Sequence, residues 1–229
     1  MNVQILQLIE GARQARGLTV IIDVFRAFSV ECYALDKGAK SIFPVGDIQT
    51  AYRMREEHPG YLLIGERGGV RCEGFDGGNS PSELLKLDLQ GKTLVHTTSA
   101  GTQGLVNARG ADEILTGSLV NADAIARYIL ARRPAEVSLV CMGWEGRTET
   151  EEDTLCARYI QARLHGENPD IRNEIDQLRV TSGKKFFDPL QQSVFPQPDF
   201  ALCTDLNRFP FVLRVNRAGG QFQIEKVLP

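Results

Sequence analysis

The residues with the clearest chemical potential lie in one glycine-rich stretch. Gly65-Glu66-Arg67-Gly68-Gly69 places an acid and a guanidinium between glycines, directly after the apolar run Tyr61 to Ile64. That run is typical of a buried strand, and glycine at this density lets the backbone curl around a ligand. Open α/β sheets bind ligands where their strands end. We therefore expect Glu66 and Arg67 to emerge into a binding cleft.

A second acid and arginine lie in Asp23-Val24-Phe25-Arg26, after a β-branched run. The carboxylate at the strand end and the guanidinium at the start of the next helix can face a common ligand. In one interpretation, Asp23 binds a metal and Arg26 binds a phosphate or sulfonate. The structural alternative is that Asp23 caps the helix or pairs with Arg26.

The turn from Thr97 to Thr102 joins an apolar strand to a helix and carries several hydroxyls. Backbone N–H groups at the N-terminus of a helix favour anions, so this turn predicts an anion site. Ordinary N-capping by Thr98 or Ser99 would explain one hydroxyl.

Oxygen ligands of the kind that hard cations prefer occur at Asp76 and Asn79, on a second glycine-rich loop. Ser80 beside them begins a capping box with proline at the first helical position, which predicts a structural role. Glu152 and Asp153 open a later helix. Acids in a first turn suit the helix dipole, yet these two also follow a strand end, where one of them could reach a metal.

A competing interpretation comes from Cys141 to Thr148, which matches the C-x5-R-[ST] phosphate loop of cysteine-dependent phosphatases, with Arg147 as the arginine. Glu145 lies inside that loop, and more acids follow. These negative charges oppose binding of an anion without a cation, so we do not favour Cys141 as a nucleophile.

The elements that must position these residues alternate in the pattern of a parallel sheet with crossover helices, which predicts an α/β fold. The predicted strands cover residues 18–24, 41–45, 61–65, 92–97, 112–115 and 136–141. The predicted helices cover residues 28–37, 47–57, a short segment from Pro81, 99–108 and 121–132, followed by two more helical stretches, the second near 168–180.

The C-terminal tail alternates apolar and polar residues in two runs joined across Gly219-Gly220. This pattern predicts an antiparallel β-hairpin, which we place at a sheet edge, where it would offer a surface for a homodimer. We expect residues 1–229 to form a single domain.

If the predicted strands hold, polar groups from five segments follow strand ends: Asp23, Glu66, Thr97 and Thr98, Ser118, and Gly143. The carboxyl ends of parallel strands share one edge of a sheet, so these groups would meet in one cleft.

The composition excludes several classes of protein. The chain of 229 residues has 26 basic and 29 acidic side chains, a net charge of -3, and no basic cluster interleaved with aromatics, so no nucleic-acid partner is expected. No apolar run approaches the length of a membrane helix, and the N-terminus lacks the pattern of a signal peptide. Five cysteines without a C-x-x-C pair suit reduced thiols, so we expect a cytoplasmic protein without structural zinc.

Taken together, the motifs around Asp23, Glu66, Asp76, Thr97 to Thr102 and Glu152-Asp153 resemble the 2-phosphosulfolactate phosphatase family, over about residues 20 to 160. The resemblance implies an α/β fold and a magnesium-dependent acid phosphatase. The implied substrate is a small phosphorylated 2-hydroxy acid that also carries a sulfonate, (R)-2-phospho-3-sulfolactate, and the reaction is a step of coenzyme M synthesis.

On this resemblance, the catalytic residues are predicted to be Asp23, Arg26 and Glu66. The substrate-binding residues are predicted to be Arg67, Gly68, Gly69, Asn79, Thr97, Thr98, Ser99, Gly101 and Thr102. Some of Asp23, Glu66, Asp76 and Asp153 would hold Mg²⁺, with either Asp23 or a metal-bound water as the nucleophile. Arg26 would neutralise the phosphoryl group, and Arg67 or Arg71 would grip the sulfonate or carboxylate.

Two positions depart from the family pattern. Phe28 precedes Ser29 where small hydroxyl residues are usual, and Ala100 interrupts the hydroxyl turn. Two alternatives stay open: a metal-independent cysteine phosphatase using Cys141 and Arg147, and a protein that binds a phosphorylated metabolite without turning it over.

Overall fold

The computed structural model describes residues 1–218 and 220–229, and within them ten strands form one sheet with helices packed against it. The strands are β1 (Asn2–Gln7), β2 (Gly17–Ile22), β3 (Ser41–Pro44), β4 (Leu62–Arg67), β5 (Val70–Arg71), β6 (Thr93–Thr97), β7 (Ala111–Gly117), β8 (Glu136–Cys141), β9 (Val212–Ala218) and β10 (Gln221–Val227). The α-helices are α1 (Leu8–Gln14), α2 (Ala27–Asp36), α3 (Ile48–Glu57), α4 (Pro81–Leu84), α5 (Gly101–Asn107), α6 (Ala122–Arg132), α7 (Glu151–Leu164), α8 (Arg172–Gln177) and α9 (Gln197–Cys203). The α/β prediction is confirmed.

The sheet consists of two parallel parts. In the order β1-β8-β2-β7-β9-β10-β3-β6-β4-β5, the first four strands are mutually parallel, and so are β3, β6 and β4. Helices cover both faces of such strands, which explains their continuous apolar runs. In β2, for example, the side chains of residues 20 to 22 are fully buried.

The C-terminal hairpin joins the two parallel parts. Its antiparallel pairing is confirmed, but its predicted place at a sheet edge is wrong, because β9 also pairs with β7 and β10 also pairs with β3. The side chains of Leu213 in β9 and Ile224 in β10 are both fully buried by the strands and helices around them. The hairpin therefore offers no free edge to a second copy, and the sheet ends instead at β1 and β5. The turn expected at Gly219 lies outside the described residues.

The sheet curls around α2. Glu31 of this helix lies 2.9 Å through Oε1 from Nδ1 of His96 in β6, and its Oε2 accepts a hydrogen bond from Thr116 in β7 at 3.4 Å. Three strands separate β6 from β7, which would hold them about 19 Å apart in a flat sheet. One side chain cannot span that distance, so the sheet must be strongly curved. All residues of α2 from 27 to 35 are buried as a result.

This curvature changes how the strand ends converge. All three pairings between β7 and β3 are antiparallel, so the two parallel parts run in opposite senses along the sheet. A single continuous parallel edge, as the sequence suggested, does not exist. Instead, the curled sheet brings the ends of β2, β8, β4 and β6 to the N-terminal end of the central helix α2, and residues at all four ends line one cleft.

The predicted elements lie close to the observed ones. The predicted strand 136–141 matches β8, and the predicted helix 121–132 starts one residue before α6. The helix predicted near 168–180 is the short α8, which continues as a 3₁₀ turn at Leu178–Val180. The sequence analysis did not find β1, α1, β5 or α9.

The five cysteines are free and buried. Among the residues that the structure describes, no helix is long and apolar enough to cross a bilayer.

Candidate active site

A cleft of about 30 Å³ lies where the strands end and the helix α2 begins. Its lining comes from distant parts of the chain: Asp23, Phe25, Arg26, Glu66, Gly69, Asn79, Ser99, Ala100, Gly143, Trp144, Glu145 and Phe195. The structure thus brings together Asp23, Arg26, Glu66, Asn79 and Ser99, five of the residues singled out in the sequence.

Asp23 lies at the cleft floor, one residue after β2. The Ala27 N–H donates to its Oδ1 at 3.1 Å, which leaves Oδ2 without a hydrogen bond from any described residue. Burial raises the pKa of Asp23 to about 7, because its charged form loses water; the Ala27 amide lowers it, and Glu66 and Glu152 raise it further. Asp23 therefore exchanges its proton near neutral pH, as catalytic groups often do.

Glu66 is held in one orientation by three donors. The Ser99 N–H donates to Oε1 at 2.7 Å, while the Gly69 N–H and the Ser99 hydroxyl donate to Oε2 at 2.6 and 3.1 Å. Gly65 precedes it at φ 139°, and a Cβ there would meet the Thr97 carbonyl oxygen at 2.0 Å. Only glycine fits this close approach of β4 to β6, which sets the depth of Glu66 in the cleft.

Arg26 is buried and is anchored by a residue that the sequence analysis missed. Its Nη1 donates to Asp199 Oδ2 at 2.7 Å. The other oxygen of Asp199 accepts from the Ser80 hydroxyl at 2.9 Å and from the Ser82 N–H at 3.0 Å. Asp199 is fully buried, so this network fixes the guanidinium at the cleft wall. The alternative pairing of Asp23 with Arg26 is absent from the described ion pairs, where Arg26 pairs with Asp199.

Asn79 offers a free oxygen to the cleft. Its loop runs along β4, because Leu63 O accepts the N–H groups of Asp76 at 2.9 Å and Gly77 at 3.3 Å. This course carries Asn79 to the end of the strand, where its Oδ1 is buried with no partner among the described residues. Ser80 caps α4 through the Glu83 N–H, as predicted.

These oxygens fit a hard cation. Buried acids around the cleft outnumber its buried cations, the amide oxygen of Asn79 is orphaned, and one oxygen of Asp23 is free. Oxygen donors of this kind suit Mg²⁺. Within residues 1–218 and 220–229, no three His, Cys, Asp or Glu side chains form a metal site by themselves. Asp23, Glu66 and Asn79 are the cleft residues whose oxygens could contribute to such a site.

Two of the expected metal ligands lie elsewhere. Asp76 accepts from the Leu63 N–H at 2.8 Å and pairs with Arg55, so it lies beside the first half of β4, away from the cleft. Asp153 accepts from Val24 N–H and Gly143 N–H, both at 2.8 Å. Both of its oxygens tie the loop after β2 to the loop after β8, and Asp153 is not among the residues that line the cleft.

Burial and the neighbouring acids Glu152 and Asp23 raise the pKa of Asp153 well above its usual range, although the two amides act in the opposite direction. Asp153 is thus a buried structural carboxyl group, which shapes the cleft by holding the loops after β2 and β8 together.

The hydroxyl turn after β6 is largely occupied by contacts within the protein. Thr98 and Thr102 bond each other, with the Thr102 N–H donating to Thr98 Oγ1 at 3.2 Å. Arg67 donates to Thr97 Oγ1 at 2.8 Å and to the Glu66 carbonyl at 2.7 Å. Gly68 N–H donates to the Ser99 hydroxyl at 3.2 Å. Of the residues predicted to bind substrate, Gly69, Asn79 and Ser99 line the cleft.

Cys141 has no access to the cleft. It is fully buried, and burial raises the pKa of its thiol, so it is a poor nucleophile. Arg147, the arginine of the same pattern, is exposed. The geometry therefore disfavours the cysteine phosphatase.

The C-terminal third of the chain supplies the outer wall. Phe186, Phe195 and Phe200 pack with Phe25 and Trp144 in one cluster. Neither these aromatics nor Asp199 carries a local sequence signal for a site, because each meets its partner only in the folded chain.

An α/β protein with buried acids and an arginine around a small cleft at its strand ends belongs to the class of enzymes that act on anionic substrates. The family profile of 2-phosphosulpholactate phosphatase matches residues 3–217. This chain belongs to that family, and it is a phosphoric monoester hydrolase.

Two relatives bear the same name. A protein of Bacillus subtilis described as a probable 2-phosphosulfolactate phosphatase is 31% identical over 215 residues, which cover 92% of each chain. One of Caldicellulosiruptor saccharolyticus with the same description is 41% identical over 167 residues, 71% of this chain and 68% of the relative.

Proposed function

We propose that this enzyme hydrolyses (R)-2-phospho-3-sulfolactate to sulfolactate and phosphate, with Mg²⁺ held by Asp23, Glu66 and Asn79. The observation that carries the proposal is the meeting of two buried carboxylates, an orphaned amide oxygen and an anchored arginine in one cleft. The names of the relatives supply the substrate. A role in coenzyme M synthesis follows only if the sulfolactate ester is preferred.

Each group of the chain has a role in this proposal. Arg26, fixed by Asp199, faces the phosphoryl oxygens and offsets the charge that develops on them. Glu66 is held by its three donors and keeps its carboxylate aimed at the cleft. When bound, Mg²⁺ would neutralise phosphate oxygens and acidify water.

The free Oδ2 of Asp23 has two possible tasks. If Glu66 and Asn79 alone hold the metal, Oδ2 attacks phosphorus, the alcohol leaves with a proton from water, and a second water then hydrolyses the aspartyl phosphate to Asp23 and phosphate. If Oδ2 is itself a metal ligand, the attacking water would be activated by the metal instead. Brief reaction followed by acid quench and peptide mass analysis separates the two, because only direct attack adds a phosphoryl group to the peptide that contains Asp23.

A substrate panel tests the function. Purified protein is assayed on phosphorylated 2-hydroxy acids with and without a sulfonate, with Mg²⁺ and after EDTA treatment. We expect EDTA to abolish turnover and added Mg²⁺ to restore it. Asp23→Asn and Arg26→Ala should each lose about 100-fold or more in kcat/KM, whereas the exposed Asp88→Asn should match the wild type. Activity that resists EDTA, or that survives both cleft substitutions, contradicts the proposal.

The same assay addresses a binding protein without turnover. The generic ester p-nitrophenyl phosphate, tested with Mg²⁺ alongside the panel, reports any phosphatase chemistry. Complete absence of turnover on all esters would favour the binding protein.

A further inference from the structure

Lys185 is a cation without an acceptor at the mouth of the cleft. Its Nζ lies 4.2 Å from the ring centroid of Trp144 and 5.1 Å from that of Phe195. Among the described hydrogen bonds and ion pairs, none involves its ammonium group. Aromatic faces attract a cation but leave its three N–H donors available to water or to an anionic ligand, and Lys185 is half-buried. Burial lowers the pKa of Lys185, which reflects the same loss of water.

Lys185 and Arg26 flank the same two rings. The guanidinium carbon of Arg26 lies 4.9 Å from the Phe195 centroid and 5.9 Å from that of Phe186. The Lys185 ammonium lies 5.1 and 5.8 Å from the same two centroids. Arg26 lines the catalytic cleft, whereas Lys185 lines a larger outer basin of about 580 Å³. The Arg26 guanidinium and the Lys185 ammonium thus lie near the same two rings, Arg26 in the cleft and Lys185 in the outer basin.

The cleft and the outer basin meet at Trp144 and Phe195, which line both. The cleft of about 30 Å³ is small, so it admits the reacting end of a phosphorylated hydroxy acid but not the whole molecule. The rest of such a molecule must lie outside. The outer basin, which shares Trp144 and Phe195 with the cleft, is also lined by Lys185.

The acidic side chains around Lys185 accept none of its N–H groups in the described hydrogen bonds. Glu152 is buried and attracts the ammonium electrostatically, but no ion pair joins the two among the described residues, and Glu152 Oε2 is itself without a partner. Glu149 and Glu151 also line the outer basin but are exposed, where solvent and salt screen them.

Two other cations near the cleft are less suited. The guanidinium of Arg67 is already bonded to Glu66 O and Thr97 Oγ1. Arg147 lines a different basin, which it shares with Glu145, and is exposed.

We propose that Lys185 binds the second anionic group of the substrate, a carboxylate or sulfonate, while Arg26 receives the phosphoryl group. This inference rests on the proposed function and deepens it: the preferred substrates are phosphate monoesters that carry another anion beyond the phosphate. Lys185 is thereby a specificity-determining residue contributed by the C-terminal third of the chain.

The test compares Lys185→Met with Lys184→Met, the neighbouring exposed lysine, in steady-state kinetics with Mg²⁺. The esters are 2-phospho-3-sulfolactate with two further anions, 2-phospholactate with a carboxylate only, and p-nitrophenyl phosphate with neither. We expect Lys185→Met to raise KM about 10- to 100-fold for an ester whose anion it binds, with kcat within a factor of two. Both variants should match wild type on p-nitrophenyl phosphate, and Lys185→Arg should recover most of the lost affinity.

The pattern across esters identifies the anion. A KM effect on both acids assigns the carboxylate, and an effect on the sulfolactate ester alone assigns the sulfonate. Equal kinetics of Lys185→Met and Lys184→Met overturn the inference, as does an equal loss on p-nitrophenyl phosphate, which would indicate a structural role. A higher KM in Arg147→Met instead would place the subsite in the basin lined by Arg147 and Glu145.

Calorimetric titration of sulfolactate separates this inference from the proposed function, since it needs no turnover. If the wild type hydrolyses none of the esters, the proposed function fails. Weaker sulfolactate binding by Lys185→Met than by wild type and Lys184→Met would still support the subsite, and equal or absent binding in all three would reject it.

Discussion

At the scale of single residues, Asp23 combines burial with an unpaired carboxylate oxygen. Burial lifts its pKa from 3.8 to about 7. The folded chain therefore keeps this proton while the unfolded chain releases it, so the folded state binds more protons between about pH 4 and 7. The contribution to stability is fully present below pH 4 and is lost as the pH rises through 7.

Replacing Asp23 with Asn should remove this pH dependence. The shift corresponds to up to about 4 kcal/mol in the free energy of unfolding, so metal-free Asp23→Asn should be more stable than the wild type at pH 8 and nearly equal to it at pH 4. Urea unfolding in EDTA at several pH values measures the difference. Removing the Asp23 charge also lessens the upward shift in the pKa of Asp153, so the measured difference includes that change. If the free energies of unfolding of the two proteins differ by the same amount at every pH from 4 to 8, Asp23 has an ordinary pKa.

Asp199 acts at the same scale, as the residue that positions Arg26. Asp199→Ala leaves a buried guanidinium without its partner, which should cost about 3–5 kcal/mol in the free energy of unfolding. Asp199→Asn keeps an acceptor for Ser80 and Ser82 but places an amide NH2 group where the carboxylate accepted from Arg26. We expect the Asn variant to fold and to lose about 10- to 100-fold in kcat, since misplaced catalytic groups lose rate.

Thermal unfolding together with kcat and KM measured separately checks this second prediction. A role limited to folding predicts that Asp199→Asn lowers the melting temperature and leaves kcat intact, which would argue against positioning.

The same residues show what a sequence can and cannot predict about a site. Asp23 and Glu66 follow apolar strand-like runs, and strand ends are where α/β sheets place ligands, so both were accessible to local reasoning. Asp199 meets Arg26 across 173 positions of sequence and lies in a short helix with no motif. Asp76 was misleading because its residue type suits a cation, while its carboxylate is taken by Arg55 and Leu63 N–H.

At the scale of elements, the start of α5 is packed directly against the carboxylate of Asp23. A Cβ at Gly101 would lie 2.9 Å from Asp23 Oδ2 and 3.0 Å from both Ala27 and Phe28. Gly101→Ala must therefore displace Asp23 or the first turn of α2. We expect a cost of about 1–3 kcal/mol from overpacking and a loss of kcat of at least 10-fold.

Gly60→Ala is the matched control, because a Cβ there meets no atom within 4 Å. It should keep wild-type activity and stability in the same assays. Wild-type kcat in Gly101→Ala would mean that the contact between α5 and Asp23 has no part in shaping the cleft.

The order of the elements was only partly predictable. Apolar runs bounded by turn signals locate β2, β4, β6 and β8, because their burial on both faces leaves a local pattern. The pairing partners of the C-terminal hairpin leave none. Alternating residues predict two antiparallel strands, but the insertion of the hairpin between β7 and β3 depends on the curvature of the whole sheet.

At the scale of the whole molecule, the hairpin is what joins the two parallel parts of the sheet and so brings their strand ends to one cleft. Ile224 in β10 is fully buried and pairs with Ile42 of β3 and Val215 of β9. Ile224→Ala should lower the free energy of unfolding by about 2–5 kcal/mol, because it leaves a cavity between the two parts. The exposed Gln221→Ala in the same strand should stay within about 0.5 kcal/mol of the wild type.

Urea unfolding followed by both circular dichroism and phosphatase activity measures this effect. Since the cleft needs both parts, activity and structure should disappear in one transition for both variants. A hairpin that served only as an edge would give a different result, with a small loss of stability in Ile224→Ala and activity that persists after the hairpin has unfolded.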